Sequence, residues 1–259
     1  MLKLSIIKIG GNVINNPSEL DDFLDKFSCI DGPKILVHGG GVLATELAQS
    51  LGIKTEMIGG RRVTSKEMLR VAVMTYAGWI NKTIVAKLQA KGTNAIGLCG
   101  ADGGIIRTQR RESKPIDYGF VGDLTPDSIN HEPLIKMLET KFVPVISAIT
   151  HDGNGQLLNT NADTIAGGIA TKMASSAEIK TRLVFCFDKI GVLRNVQDDS
   201  TLIDRMSHSD YEQLKSKEAI YDGMIPKLDN AFRAIEAGVS EVVIQHSSKI
   251  GSDIGTVLY

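Results

Sequence analysis

Short apolar runs alternate along this chain with segments whose apolar residues recur at helical spacing. The runs predict buried strands at Leu4–Ile9, Lys34–His38, Asn94–Leu98, Phe142–Ile149, Leu183–Phe187 and Glu241–Ile244. The segments between them predict helices over residues 20–27, 42–51, 65–91, 125–139, 161–174 and 224–235. Strands and helices that alternate in this way favour right-handed crossovers and a mainly parallel central sheet with helices on both faces.

We therefore predict an α/β fold, an αβα sandwich that forms one domain over residues 1–259. Two lobes, residues 1–175 and 176–259, are expected to share one continuous sheet.

Local sequence signals set the expected ends of several helices. Ser18 and Asp21 are spaced as in a capping box, and Thr125 followed by Pro126 is typical of a helix start. Asp222 is placed to cap the last helix, and Gly78 predicts a break in the long segment 65–91. Residues 53–64 are expected to form a hairpin, and residues 99–124 to form loops and hairpins.

Composition narrows the class of protein without naming it. The 259 residues include 26 glycines, about 10% against an average near 7%, with no three-residue period. The net charge of −1 gives no indication of a nucleic-acid or membrane-surface partner, and no apolar run is long enough for a transmembrane helix. The excess of glycine therefore needs local explanations.

The number and spacing of the cysteines argue against a disulfide framework. Cys29, Cys99 and Cys186 are odd in number, and neither a CxxC nor an HExxH motif occurs. Three ordinary buried thiols and a reducing cytosol fit this pattern best.

The segment Lys34–Ala44, KILVHGGGVLA, carries the strongest local chemical signal. A strand runs into three glycines and then a helix, so backbone N–H groups and the positive end of the helix dipole meet at one turn. Such a turn suits an anion, because glycine lets a ligand approach the main chain.

Three enzyme classes compete for this turn. His38-Gly39-Gly40-Gly41 matches the oxyanion loop of esterases, but the nucleophile motif G-x-S-x-G is missing. Gly39-x-Gly41-x-x-Ala44 also matches a dinucleotide fingerprint, with Arg61 or Arg62 placed for a 2′-phosphate. The fingerprint usually follows the first strand, however, and here an earlier strand has a glycine pair of its own.

Phosphoryl transfer is the third class. No P-loop motif occurs, but glycine turns follow two strands, at Gly10-Gly11 and at Gly39–Gly41, and two such turns at one sheet edge could cradle a phosphoryl group. Lys8 lies in the apolar strand just before the first turn. A lysine there is costly to bury unless it meets an anion, although an edge or snorkelling lysine is the simpler alternative.

These segments resemble acetylglutamate kinases of the amino-acid kinase superfamily over essentially the whole chain. The matching segments are Lys8–Gly11, His38–Gly41, residues 60–64, Asn159–Asp163, Asp188–Leu193 and residues 222–227. The resemblance implies an amino-acid kinase fold and transfer of the γ-phosphoryl group of ATP to the side-chain carboxylate of an N-acylglutamate, in arginine biosynthesis. That carboxylate is ionised at neutral pH, so no general base is required, and charge neutralisation and alignment are the main tasks.

The resemblance also implies roles for particular residues. Lys8 would stabilise the transferring phosphoryl group, Lys227 the ATP side and the developing ADP charge, and Asp163 would orient both lysines. Substrate binding is implied for Gly11, Gly40, Gly41, Arg62 and Asn159, with Arg62 and Asn159 on the α-carboxylate. Nucleotide binding is implied for Gly10, Asp188, Gly191, Gly223 and Met224. Magnesium would arrive with ATP, and no protein ligand for it is assigned.

Two positions depart from the family pattern. Arg61 stands where an apolar residue is usual, close to the acyl group, so we hypothesise that it pairs with a second carboxylate and that the acyl group is succinyl rather than acetyl. A solvent-facing Arg61 is the alternative. Phe187 and Lys189 flank Asp188 where a small polar residue and a valine are usual, which leaves the nucleotide preference open.

The resemblance further implies a cytoplasmic homodimer. Arginine-inhibited family members carry an extra N-terminal helix before the first strand, and this sequence begins at the strand, so we expect a dimer without arginine feedback. A kinase for another small carboxylate or carbamate, or a ligand-sensing relative without catalysis, remains an alternative.

Overall fold

The computed structural model describes residues 2–59, 61–217, 220 and 224–259. It divides the chain into two compact units. Unit 1 comprises residues 1–35 and 166–259, and unit 2 comprises residues 36–165. The unit boundaries fall inside regular elements, namely the strand Lys34–His38 and the helix Ala162–Ala174.

Unit 1 holds strands and helices from both ends of the chain. Its strands are β1 (Leu2–Ile9), the start of β2 (Lys34–His38), β11 (Ile179–Phe187), β12 (Arg205–Met206), β13 (Glu241–His246) and β14 (Thr256–Leu258). Its helices are α1 (Gly11–Asn15), α2 (Pro17–Ser28), most of α7 (Ala162–Ala174), α8 (His208–Ser216) and α9 (Ile225–Glu236). The strand order β12-β14-β13-β11-β1 is parallel except for the β13–β14 pair.

Unit 2 is built from the middle of the chain. Besides the rest of β2, its strands are β3 (Glu56–Ile58), β4 (Arg61–Val63), β5 (Ala95–Leu98), β6 (Gln109–Arg110), β7 (Gly122–Asp123), β8 (Val143–Ser147), β9 (Ile149–His151) and β10 (Leu157–Asn159). Its helices are α3 (Gly41–Ser50), α4 (Lys66–Ala72), α5 (Asn81–Ala90) and α6 (Glu132–Glu139). Strands β2, β8 and β5 pair in parallel, while β3–β4, β6–β7 and β9–β10 form small antiparallel pairs.

The predicted fold class is confirmed. Mainly parallel strands alternate with helices, and every strand predicted from an apolar run is present within a few residues of its expected ends. The predicted hairpin at residues 53–64 is the β3–β4 pair. The apolar runs succeed as predictors because parallel strands are covered on both faces and are therefore apolar throughout.

The long segment 65–91 is helical across Gly78 rather than broken there. Helices α4 and α5 are joined by a π-helical stretch, Val73–Ile80, which includes Gly78. The predicted break is therefore a change of helical pitch.

Two predicted helix starts are wrong. Thr125 and Ser128 close a turn, in which Ser128 N–H donates to the Thr125 carbonyl at 3.1 Å, and helix α6 begins only at Glu132. Between them Ile129 pairs with Ile106, and this bridge takes the backbone groups that a longer helix would have used. Helix α2 is capped by Asn16, whose side chain accepts from the N–H groups of Ser18 and Glu19, and not by Ser18.

The cysteines are free thiols, and only one of them is fully buried. Cys186 is buried and Cys99 is half-buried, whereas Cys29 is exposed at the end of α2. The expectation of three buried thiols is therefore right for Cys186 and wrong for Cys29 and Cys99. The predicted cap Asp222 lies outside the described residues.

Candidate active site

The glycine turn between β2 and α3 is shaped by close packing. Gly40 precedes the first residue of α3, Gly41, and supplies no side-chain cap, so the first N–H groups of the helix face the turn. A β-carbon built on Gly40 would lie 2.2 Å from Cδ1 of Ile80 and 2.8 Å from Cδ1 of Tyr76. Glycine is therefore required at position 40 by the residues behind the turn.

His38 holds the start of this turn from within the core of unit 2. Its Nδ1 donates to the Gly39 carbonyl at 2.8 Å, and its Nε2 accepts from Nδ2 of Asn81 at 3.0 Å. Asn81 also donates to the Val145 carbonyl at 2.9 Å. Burial lowers the pKa of His38 to about 4, so the ring is neutral at physiological pH and this hydrogen-bond pattern assigns its proton to Nδ1.

Arg62 reaches the same turn from the β3–β4 hairpin. Its Nη2 donates to the Gly41 carbonyl at 2.8 Å and to Oγ1 of Thr45 at 2.7 Å. Burial raises the pKa of Tyr76, and the nearby Arg62 guanidinium opposes that rise. Arg61 is exposed and, as its strand neighbour, points to the other face of the hairpin.

Thr64 connects Arg62 to the second predicted substrate residue. The buried hydroxyl of Thr64 donates to the Arg62 carbonyl at 3.2 Å and accepts from Nδ2 of Asn159 at 3.1 Å. The structure thus brings Gly40, Gly41 and Arg62 together and links Asn159 to them.

A chain of buried hydroxyls lies beneath the Asn159–Asp163 segment. Oγ1 of Thr150 is 2.7 Å from that of Thr108 and 2.8 Å from that of Thr160, and Thr160 donates to the Gly122 carbonyl at 3.3 Å. These hydrogen bonds hold the backbone in place between the end of β10 and the start of α7. Asp163 lies in the first turn of α7 and is half-buried.

In unit 1, the predicted catalytic lysines share one aromatic neighbour. Lys8 lies near the end of β1 and is only 8% exposed, and its Nζ is 5.8 Å from the centroid of the Phe187 ring. Lys227, in the first turn of α9, has its Nζ 3.7 Å from the same centroid. The predicted pair is therefore brought together around Phe187.

The glycine pair after β1 adjoins Lys8. Gly10 precedes the first residue of α1, Gly11, and has no side-chain capping hydrogen bond. A β-carbon on Gly10 would lie 3.9 Å from the Nζ of Lys8, so a larger side chain there would extend toward the ammonium group.

The remaining predicted nucleotide residues are more dispersed. Asp188 is exposed directly after β11, and Met224 is half-buried at the start of α9. Gly191 is buried for a packing reason of its own, because a β-carbon there would lie 2.6 Å from Cδ1 of Leu202 and 2.7 Å from Oγ1 of Thr256. Gly223, together with Gly60 of the hairpin motif, lies outside the described residues.

Several contributors to the site carried no sequence signal strong enough to single them out. Thr45 and Tyr76 lie in helical segments where their spacing fits ordinary packing. Only the folded hairpin shows that both adjoin the guanidinium group of Arg62.

Two negative observations apply to the described part of the chain. It contains no cluster of three or more carboxylate, histidine or cysteine side chains that could hold a metal ion. It also contains no helix that is both long enough and apolar enough to cross a bilayer.

Comparison with known proteins decides the family. The model of the "Amino acid kinase family" matches residues 3–246. The chain belongs to the amino acid kinase family. Family membership makes it a kinase, and it agrees with the fold, the two glycine turns and the buried lysine described above.

Three sequence relatives named acetylglutamate kinase illustrate the likeness. The acetylglutamate kinase of Phocaeicola vulgatus is 49% identical and covers 99% of this chain and 98% of its own. That of Cytophaga hutchinsonii is 50% identical over 94% of this chain and 91% of its own, and that of Methanopyrus kandleri is 36% identical over 98% and 100%.

Solved structures agree on the family fold. The smu.665 protein of Streptococcus mutans superposes with a TM-score of 0.79 at 25% identity, with 98% of each chain covered. An isopentenyl phosphate kinase superposes with a TM-score of 0.64 at 18% identity, covering 99% of this chain and all of its own. The second likeness concerns the fold alone.

Replacing Gly40 with alanine tests the packing behind the turn. The added methyl group must displace Ile80 and Tyr76, and overpacking of this kind costs about 1–3 kcal/mol. We expect Gly40→Ala to lower the free energy of unfolding in urea by that amount. Gly167→Ala is the control, because Gly167 lies within α7 with open space around it and alanine favours a helix. Equal stability of Gly40→Ala and wild type would contradict the steric argument.

The buried His38 predicts a loss of stability in acid. Because its pKa falls from about 6.5 in the unfolded chain to about 4 in the fold, only the unfolded chain takes up the proton between these values. The contribution of neutral His38 to the free energy of unfolding is complete above pH 6.5. It declines by on the order of 3 kcal/mol as the pH falls toward 4. Urea unfolding at pH 7 and pH 4 should show this decline.

The variant His38→Gln removes the titrating ring and should show a correspondingly smaller decline between the two pH values. His208→Gln, at an exposed histidine, is the control and should decline as wild type does. A His38→Gln variant with the full wild-type decline would show that other groups cause it.

Proposed function

We propose that this protein is an ATP-dependent N-acylglutamate kinase that phosphorylates the side-chain carboxylate of N-acetyl-L-glutamate in arginine biosynthesis. Relatives named acetylglutamate kinase, 48–50% identical over nearly the full chain, support this activity. The observation that carries most weight is the position of Arg62 over the turn at Gly40–Gly41, connected through Thr64 to Asn159. A guanidinium beside exposed N–H groups suits a small dicarboxylate.

The proposed reaction needs alignment more than proton transfer. The γ-carboxylate of the substrate is ionised at neutral pH, since the glutamate pKa is about 4.3, and it attacks the γ-phosphorus of ATP as the bond to ADP breaks. The product is an acyl phosphate. The residues therefore have to neutralise charge on the phosphates and to hold the nucleophile in line.

We assign this work to the residues named above. Lys8 and the N–H of Gly11 bind the transferring phosphoryl group, and Lys227 binds the phosphates that become ADP. Arg62 and Asn159 bind the α-carboxylate of the acylglutamate. The α-carboxylate ligands Arg62 and Asn159 thus lie within residues 1–175, and Lys227, which binds the ADP phosphates, lies within residues 176–259.

Other assignments carry less structural support. The role of Asp163 in orienting the lysines, and the nucleotide contacts of Gly10, Asp188, Gly191, Gly223 and Met224, stay predictions. Magnesium enters as part of the MgATP substrate, bridging its phosphates. A reducing cytosol suits the free thiols Cys29, Cys99 and Cys186.

A direct assay tests the activity. Purified protein with MgATP and N-acetyl-L-glutamate should release ADP and form an acyl phosphate that hydroxylamine traps as a hydroxamate. Arg62→Lys should raise the KM for acetylglutamate about 10- to 100-fold with little change in the KM for ATP, because the ammonium cannot make paired hydrogen bonds. Arg70→Lys, at an exposed arginine of α4, is the matched control. Absence of ADP release, or an unchanged KM in Arg62→Lys, would refute the assignment.

The acyl group is tested in the same assay. Arg61 is exposed on the face of the hairpin opposite to Arg62, which favours the solvent-facing alternative and agrees with the acetyl substrate proposed above. The competing hypothesis, that Arg61 binds a second carboxylate, predicts a preference for N-succinyl- over N-acetyl-L-glutamate that Arg61→Leu abolishes. A clear preference of wild type for the acetyl compound would refute it.

We further propose that the protein is a homodimer joined through the outer side of the π-helical stretch Val73–Ile80. Trp79 is 72% exposed, and Met74, five residues earlier in an i to i+5 helix, is 44% exposed on the same side. Large apolar side chains gain free energy when a second copy covers them.

Sedimentation and fluorescence test the dimer together. Trp79 is the single tryptophan of the chain, so its emission should shift to longer wavelength as dilution separates the copies. Trp79→Glu should sediment as a monomer, while the control Tyr259→Glu, at another exposed aromatic residue, should sediment as a dimer. A dimeric Trp79→Glu would contradict this interface.

A further inference from the structure

Phe187 occupies an unusual position at the end of β11. The large phenylalanine ring is buried there, next to the exposed Asp188. In the parallel β1–β11 pair, Lys8 lies opposite Phe185, and Phe187 is two residues further on the same face. The Phe185 and Phe187 rings are stacked with centroids 6.2 Å apart and planes inclined by 15°. Phe185 therefore supports the Phe187 ring at its place beside the lysines.

The distance between Lys227 and this ring indicates an electrostatic contact. A cation within about 6 Å of a ring centroid is attracted by the negative face of the ring, and Nζ of Lys227 lies at 3.7 Å. Lys8, at 5.8 Å, is near the limit of that range. The ring thus acts mainly on Lys227.

The location of Lys227 in its helix is electrostatically unfavourable for a cation. Lys227 is the third residue of α9, and the first turn contains no acidic residue. The positive end of the helix dipole repels a cation there by about 0.3–1 kcal/mol. The negative face of the Phe187 ring opposes this repulsion.

We propose that Phe187 is a positioning residue whose ring face holds the Lys227 ammonium group ready for the nucleotide phosphates. The proposal rests on the function proposed above. It assigns to the ring a role that a residue of equal bulk without π electrons cannot fill.

Kinetics on Phe187 variants separate this role from simple packing. Phe187→Leu should lower kcat/KM for ATP about 3- to 30-fold, the range expected for loss of a cation–π contact, and leave the KM for the acylglutamate unchanged. Phe187→Tyr keeps the ring and should stay within about twofold of wild type. Phe23→Leu, at a fully buried phenylalanine of α2, controls for the general cost of losing a core ring. Equal kinetics of Phe187→Leu and wild type would overturn the proposal.

Fluorinated phenylalanines incorporated at position 187 provide the sharper test. One, two and three fluorine atoms withdraw electron density from the ring face stepwise with little change in shape. The logarithm of kcat/KM for ATP should fall in proportion to the number of fluorines. A flat series would mean that the ring acts only through its bulk, and would overturn the proposal.

A spectroscopic readout keeps the proposal independent of the assigned activity. An ammonium group above a ring places its neighbouring methylene protons in the ring current, so the ε-protons of Lys227 should resonate upfield in wild type and return to the ordinary position in Phe187→Leu. Lys227→Met identifies the resonance by removing it. If the upfield resonance is present while the kinase assay fails, the proposed function is wrong and the contact stands; if it is absent in wild type, the contact is wrong.

Discussion

A ligand can approach a backbone N–H group only where no side chain stands between them, and much of the candidate site depends on this constraint. At Gly40 a side chain is excluded for a second reason as well, because Tyr76 and Ile80 behind the turn occupy the space that it would need. His38 donates to the carbonyl of the preceding residue, Gly39, and Arg62 donates to the carbonyl of the following residue, Gly41. The turn is therefore held at three points, and an anion that binds there meets groups already in place.

The arrangement of strands was predictable because it follows from burial. Parallel strands are covered on both faces, so their sequences are apolar runs that stand out between helical segments. Helix starts were harder to predict, as Thr125 and Ser18 illustrate. Each has a side chain typical of a helix cap. After Thr125, however, the backbone pairs in the bridge between Ile106 and Ile129. At Ser18, the capping position is taken by Asn16, whose side chain accepts from the N–H of Ser18. The helix-capping propensity of a short segment takes no account of such competing partners elsewhere in the chain.

The site was predictable only in part, for a related reason. Gly40, Arg62 and Asn159 belong to motifs that the resemblance recognises, whereas Tyr76 and Thr45 become neighbours of Arg62 through tertiary packing alone. Phe187 was identified as a departure, but its contact with Lys227 requires the register of β11 and the start of α9 together. Sequence motifs thus indicate which residues meet a ligand more readily than which residues hold them in place.

The buried hydroxyl chain beneath Asn159 has a direction. Thr160 donates to the Gly122 carbonyl and can therefore accept from Thr150. The Thr150 hydrogen has a second acceptor at 3.4 Å, the Leu158 carbonyl, and with either acceptor Thr150 accepts from Thr108. Removal of a hydroxyl group therefore has different consequences at the ends and at the middle of this hydrogen-bonded chain. Loss of the Thr108 hydroxyl strands no hydrogen, whereas loss of the Thr150 hydroxyl leaves the hydrogen of Thr108 without its acceptor in a dry interior.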